Sequence, residues 1–266
     1  MAFLVVDGLR CYYRLEGVAG RPVLVLSHAM GLDHAMWDPQ MPEFLADYRV
    51  LRYDLRGHGA TDVPAGDYSV ERLGRDALGL LDALAMERVA WCGASLGGMV
   101  GQWLASHAPA RLSHLVQSNS SPRTADAAGI EARRKTVLNR GMVVVLDTSM
   151  SRFFTRALVD ENPPRVASAR ETFLSTSPIG YAGCCAALRD FDHTAALERI
   201  RTPTLVIGGD ADDAMPWDQH GAVLAREIPR AMAVHLETAH LASLGQPRAF
   251  TLAVLDFLAA PAGGLP

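Results

Sequence analysis

A run of five residues at 93–97, Gly-Ala-Ser-Leu-Gly, most constrains what this chain can fold into. It follows the apolar stretch Val89-Ala90-Trp91-Cys92, which reads as a buried strand. It precedes Met99, Trp103 and Leu104, which recur at helical spacing before Pro109. A strand that turns this sharply into a helix leaves little room for side chains beside the bend, so Gly93 and Gly97 follow sterically. Ser95 is then held at the tip, with its hydroxyl exposed above a sheet. A bare G-x-S-x-G match carries little weight, because small residues often join strands to helices. The strand–turn–helix setting is what makes it specific.

The rest of the chain repeats that rhythm. Val23-Leu24-Val25-Leu26, Val50-Leu51-Arg52-Tyr53 and Leu205-Val206-Ile207 read as strands, and Leu73, Ala77, Leu80, Leu81 and Leu84 as a helix with Ser69 at its N-cap. The opening MAFLVVDGLR lacks a basic leader, and its apolar run stops at Asp7-Gly8. It predicts a β-hairpin and not a signal peptide. Alternation of this kind implies an α/β fold built on a mostly parallel, doubly wound sheet. The rhythm breaks after Leu115-Val116. From Ser120 to Glu198 only helical stretches occur, such as Ile130 to Arg140 and Tyr181 to Arg189. It then resumes at Thr204 to Gly208, Trp217 to Glu227, Ala233 to Leu236 and Arg248 to Leu258. The expected plan is a core from 1–119 and 199–260, a helical lid at 120–198, and a disordered tail at 261–266. An insertion there would cover the strand ends where open α/β sheets bind ligands.

A serine hydroxyl is a poor nucleophile unless a base takes its proton. His240, in Thr238-Ala239-His240, sits on a loop beyond the strand-like Val234-His235-Leu236 and can reach back to Ser95. His107, His114 and His193 read as lying on helices or their edges, His220 on the helix after residue 216, and His235 in a half-buried strand. Each of these reads as a surface or satisfied core histidine. A histidine base needs a carboxylate on its other nitrogen. The segment GGDADDAMP at 208–216 offers Asp210, Asp212 and Asp213 after a strand and before His240, which is the required order. The rival reading of that segment as a metal loop is disfavoured. It lacks the glycine and bidentate glutamate of a calcium loop, and no His or Cys stands beside it at zinc spacing. The oxyanion of an acyl-transfer intermediate needs two N–H donors. Leu96, directly after the serine, supplies one. Met30, in the loop Ser27-His28-Ala29-Met30-Gly31, is the candidate for the other.

Composition narrows the partners. A net charge of −4 argues against nucleic acid, which calls for a basic face. No apolar run approaches the roughly 20 residues of a membrane span. The four cysteines, two of them adjacent at 184 and 185, show no disulfide framework, which suggests a reduced cytoplasmic setting. The oligomeric state stays open, a homo-oligomer included.

Taken together these residues resemble the α/β-hydrolase family over essentially the whole chain, and within it the 3-oxoadipate enol-lactonases. The resemblance rests on Arg49 to Gly59 (RVLRYDLRGHG), Cys92 to Met99 (CGASLGGM), Gly180 to Ala187 (GYAGCCAA) and Ala239-His240-Leu241. The first two recur widely in the family, while the third is narrower. The resemblance implies an α/β-hydrolase fold and selects Asp212 as the acid. It implies no metal or organic cofactor, and a small-molecule lactone or ester as substrate. It also places Arg133 where the family has an arginine, able to pair with a substrate carboxylate; a solvated helix face shared with Arg134 and Lys135 is the alternative. The sequence departs from the family at Ile130 and Phe153, where tryptophans are usual, at Ala211, and at His28. The implied activity is opening of 3-oxoadipate enol-lactone in aromatic catabolism by an acyl-enzyme route. A carboxylesterase or lactonase for another small acyl group is the runner-up. A carbon–carbon bond hydrolase and a non-catalytic ligand receptor on the same fold carry less weight.

Overall fold

Asp7 and Gly8 both adopt positive φ, 48° and 76°, and the tight turn they make pairs β1 (Ala2–Val6) with β2 (Leu9–Glu16) antiparallel. The computed structural model describes residues 2–260, so the tail expected at 261–266 lies outside the described residues. After the hairpin come β3 (Val23–Ser27), α1 (Met41–Asp47), β4 (Arg49–Tyr53), α2 (Val70–Ala83), β5 (Val89–Ala94), α3 (Leu96–His107) and β6 (Leu112–Ser118). Five helices follow: α4 (Ala127–Arg140), α5 (Leu146–Phe153), α6 (Arg156–Glu161), α7 (Pro164–Ser175) and α8 (Pro178–Arg189). The chain then returns through β7 (Thr204–Gly209), α9 (Gly221–Glu227), β8 (Met232–Leu236), α10 (Ala242–Gly245) and α11 (Pro247–Ala259).

The strands form one eight-stranded sheet in the order β1-β2-β4-β3-β5-β6-β7-β8. Only the pairings of β2 are antiparallel; from β4 to β8 every neighbour runs parallel. The central strands β3, β5 and β7 are buried almost throughout, as apolar runs of this composition require when helices cover both faces. Helix α2 packs on α3, and α1 packs separately on α11. The Ser69 hydroxyl accepts the Arg72 N–H at 3.0 Å and caps α2, as its position predicts.

Several readings of the sequence need correction. His114, expected at a helix edge, lies in β6, because parallel pairing with β5 extends the strand on both sides of Leu115-Val116 and sets Ala90 opposite His114. β8 is an edge strand, and His235 stands on its exposed side, in keeping with its reading as a surface histidine. The helix expected over 217–227 is broken: a 3₁₀ turn at Trp217–Gln219 ends at His220, and α9 starts only at Gly221. Between β6 and β7 no strand occurs among the described residues, only an isolated bridge between Arg123 and Asp192. No helix of the described residues is long and apolar enough to cross a membrane. The four cysteines are buried and free.

Candidate active site

Ser95 joins β5 to α3 with φ 53° and ψ −114°, a conformation that a non-glycine residue adopts only when its surroundings hold it there. The surroundings do. The Ser95 N–H donates to the Ser118 carbonyl at 2.9 Å, and the Ser120 hydroxyl donates to the Ser95 carbonyl at 2.9 Å. A Cβ on Gly93 would meet the Gly97 carbonyl oxygen at 2.2 Å, and one on Gly97 the Ser27 carbonyl oxygen at 2.2 Å. Both glycines are therefore required by close backbone approach.

The loop after β8 brings His240 over this turn. Its Nε2 lies 3.0 Å from Ser95 Oγ, and its Nδ1 lies 3.0 and 2.9 Å from the two carboxylate oxygens of Asp212. Ser95 and His240 are only 6% and 4% exposed, so these contacts form in a site nearly closed to solvent. The loop is fixed from the helical segment, since the His240 N–H donates to the Arg152 carbonyl and the Leu241 N–H to the Phe153 carbonyl. Phe153 itself lies nearly parallel to the imidazole, 18° between planes and 6.1 Å between centroids.

Of the three clustered aspartates only Asp212 turns inward. Asp210 and Asp213 are exposed, and Asp210 faces the His235 ring at 3.2 Å. Burial works to raise the pKa of Asp212. The charge and hydrogen bond of His240, the Asn119 amide and the Met215 N–H outweigh it, and the carboxyl ends below its ordinary value of 3.8. Asn119 is a residue that sequence reasoning missed. It adopts φ 49° at the end of β6, donates to Asp212 Oδ2 at 3.0 Å, and accepts from the Ser118 hydroxyl at 2.7 Å. Its only sequence signal is an Asn three residues past the strand-like Leu115-Val116, a residue type that tolerates the left-handed region.

The loop after β3 is clamped by two histidines that the sequence left without a role. The Leu55 N–H donates to His28 Nε2 at 2.9 Å, while His28 Nδ1 lies 2.8 Å from the Ala29 carbonyl. The Gly31 N–H donates to His58 Nε2 at 2.9 Å, and the Ala29 N–H meets Met36 Sδ at 3.3 Å. The N–H of Met30, between these two, has no partner among the described residues. Leu96 opens α3, so its N–H has no acceptor within the helix. His28 is wholly buried and uses both nitrogens on backbone, which removes it from contact with a ligand.

Beside these residues lies a cavity of about 480 Å³, walled by Met99, Ile130, Arg133, Arg152, Met215 and His220 among others. Ser95 and His240 are not on its wall. Met99, one turn after Ser95, and Met215, whose N–H donates to Asp212 Oδ1 at 2.9 Å, bring it to the edge of the site. Arg133 stands apart from its neighbours on α4. Arg134 pairs with Asp67 and Glu131, and Lys135 with Glu131. Arg133 donates to Ser149 Oγ, lies over the Tyr181 ring, and has no carboxylate partner among the described residues. No group of three or more His, Cys, Asp or Glu that could hold a metal ion occurs among the described residues.

A mostly parallel sheet, a strained serine between strand and helix, and a His–Asp pair on the loops after β8 and β7 define an α/β hydrolase. The chain belongs to that family: the model for the alpha/beta hydrolase fold matches residues 22–247. It is a hydrolase. A hydrolase from Pseudomonas aeruginosa superposes with a TM-score of 0.95 at 44% identity, covering 97% of this chain and 98% of that one. The 3-oxoadipate enol-lactonase 2 of Acinetobacter baylyi is 36% identical over 94% of each chain. A putative carbamate hydrolase of Pseudomonas savastanoi, RutD, is 34% identical over 90% of this chain and 95% of its own.

Proposed function

We propose that this hydrolase cleaves carboxylic ester bonds through an acyl-enzyme on Ser95, and that its substrate is a small lactone, 3-oxoadipate enol-lactone. The observation that carries the reading is the continuous contact from Ser95 Oγ through His240 to Asp212, at 3.0 and 2.9 Å. Asp212 holds the proton of His240 on Nδ1, which leaves Nε2 free to take the serine proton. Oγ then attacks the lactone carbonyl, and the alkoxide that develops is met by the N–H groups of Leu96 and Met30. Removing one such donor typically costs about 3 kcal/mol of transition-state stabilisation. Collapse breaks the ring C–O bond, and His240 returns its proton to the leaving oxygen. An enol so released tautomerises to a ketone, which removes the nucleophile that would close the ring again. Water then loses a proton to His240, attacks the acyl carbon and frees Ser95, giving a dicarboxylate. The guanidinium of Arg133 on the cavity wall, without a carboxylate partner among the described residues, is suited to the substrate carboxylate.

A second reading, an esterase or lactonase for a different small acyl group, is favoured by Ile130 on the cavity wall and Phe153 against His240. Measured kcat/KM on the enol-lactone, simple lactones and p-nitrophenyl esters decides between them. The enol-lactone is expected to be the fastest; fast ester cleavage beside slow enol-lactone turnover would hand the assignment to the second reading. Ser95→Ala is expected to abolish turnover of all of them while leaving the melting curve intact, and undiminished hydrolysis by that variant would sink the serine mechanism.

A further inference from the structure

His220 plays no part in the mechanism above, yet it borders the same cavity while only 6% exposed. Its tautomer can be worked out from Ser121. That hydroxyl has one proton and lies 2.5 Å from the Arg123 carbonyl, an acceptor only, so the proton points there. The Arg123 N–H donates to the same Oγ at 3.2 Å. His220 Nδ1, 2.6 Å from Oγ, therefore faces lone-pair density and must donate. Burial, first, and the nearby charges of His240 and Arg123 disfavour the imidazolium, against an opposing pull from Asp212. The ring is then neutral with its proton on Nδ1, and Nε2 carries a lone pair. That nitrogen has no hydrogen bond among the described residues, yet it is not sealed from solvent, and the ring lines the cavity. An acceptor with a fixed tautomer thus belongs to a ring on the wall of the cavity where Arg133 is proposed to meet the substrate carboxylate. A carboxylate, itself an acceptor, cannot use it.

Lactone opening differs from ester cleavage in one respect that matters here. An ester loses its alcohol, whereas a lactone keeps the new hydroxyl on the acyl chain, inside the pocket. We infer that His220 is a positioning residue for lactone opening, its Nε2 accepting a hydrogen bond from the hydroxyl that ring cleavage creates and turning it away from the acyl carbonyl. No covalent step is added: the hydroxyl proton arrives from His240, as already described, staying on oxygen in a simple lactone and, in an enol-lactone, until the enol tautomerises. Ser121 acts one step further out, by fixing which nitrogen of His220 carries the free lone pair. The inference rests on the serine-hydrolase reading and names the feature of that site that suits it to lactones.

The test is a ratio, kcat/KM for δ-valerolactone over kcat/KM for p-nitrophenyl butyrate. In His220→Leu the ratio is expected to fall about fivefold to tenfold, the range set by one hydrogen bond. His220→Gln, whose amide oxygen is again an acceptor, should recover part of it. Ser121→Ala, which keeps the imidazole but frees its tautomer, should lower the ratio by less than His220→Leu does. A structural role would slow both substrates alike, so an unchanged ratio in His220→Leu and Ser121→Ala overturns the inference, even where absolute rates drop. If His220→Leu does not fold, the glutamine and Ser121 variants decide by the same ratio. Ser95→Ala keeps the two ideas apart. Undiminished ester turnover there would remove the serine mechanism itself, while near-total loss there beside an unmoved ratio elsewhere removes only the role of His220.

Discussion

Asp212 holds its orientation because four donors converge on it: His240 Nδ1, the Asn119 amide and the N–H groups of Ala214 and Met215. Two of these are backbone and cannot be removed by substitution, so Asn119 is the donor a mutation can test. Asn119→Ala leaves a buried carboxylate oxygen short of one charge-assisted bond, a loss of about 1.5–3 kcal/mol when fully expressed. Turnover is expected to drop roughly tenfold or more. The amide lowers the pKa of Asp212, so its loss raises that pKa, and the acid limb of the kcat/KM profile should move to higher pH. A variant with a lower melting temperature but an unshifted profile would make Asn119 structural only. The same assay ranks the neighbours: Asp212→Asn should collapse kcat, whereas Asp210→Asn and Asp213→Asn, both exposed, should leave it within about twofold, as surface changes usually do. A larger loss at Asp210 would move the acid to that position.

At the scale of elements, what the sequence made legible was what local sterics dictate. The strand runs, the cap at Ser69 and the glycines around Ser95 follow from side-chain period and backbone clearance, and they appear where expected. What was not legible depends on contacts between distant segments. The break at His220 accompanies its bond to Ser121, 99 residues away in sequence, and nothing within 217–227 signals it. By residue type Arg133, Arg134 and Lys135 read alike, with only the resemblance setting Arg133 apart, and their partners differ once α4 is laid on α8. The docking of α8 is itself a steric matter. A Cβ on Gly180 would meet the Gly57 carbonyl oxygen at 2.0 Å and the Gly57 Cα at 2.5 Å, backbone atoms that cannot yield. Gly180→Ala should therefore push α8 off the loop that carries His58, costing about 1–3 kcal/mol as overpacking does. A melting temperature within a degree of the parent would show that the contact can relax.

Across the whole molecule, the loop after β3, the loop after β4 and α8 are joined through two neutral histidines, and this coupling has a pH signature. Burial drives the pKa of His28 down from 6.5 to about 4 and that of His58 to about 3. In the unfolded chain both return to ordinary values. The unfolded state therefore binds protons that the folded state refuses, and stability is present above about pH 6.5 and falls as pH drops from there toward 4 and 3. Each pKa unit is worth about 1.4 kcal/mol, so His28 alone accounts for about 3 kcal/mol across that window. The structural consequence is specific: protonation converts Nε2 of His28 from an acceptor of the Leu55 N–H into a donor facing it, and that of His58 likewise against Gly31. Since Gly31 follows Met30, acid should loosen the proposed oxyanion donor before the sheet unfolds. His28→Gln keeps an acceptor but removes the titration. It should be less stable than the parent at pH 7 and lose stability less steeply between pH 6.5 and 4 in urea denaturation. Equal slopes for the two proteins would show that other groups, His58 with its lowered pKa among them, carry the acid sensitivity instead.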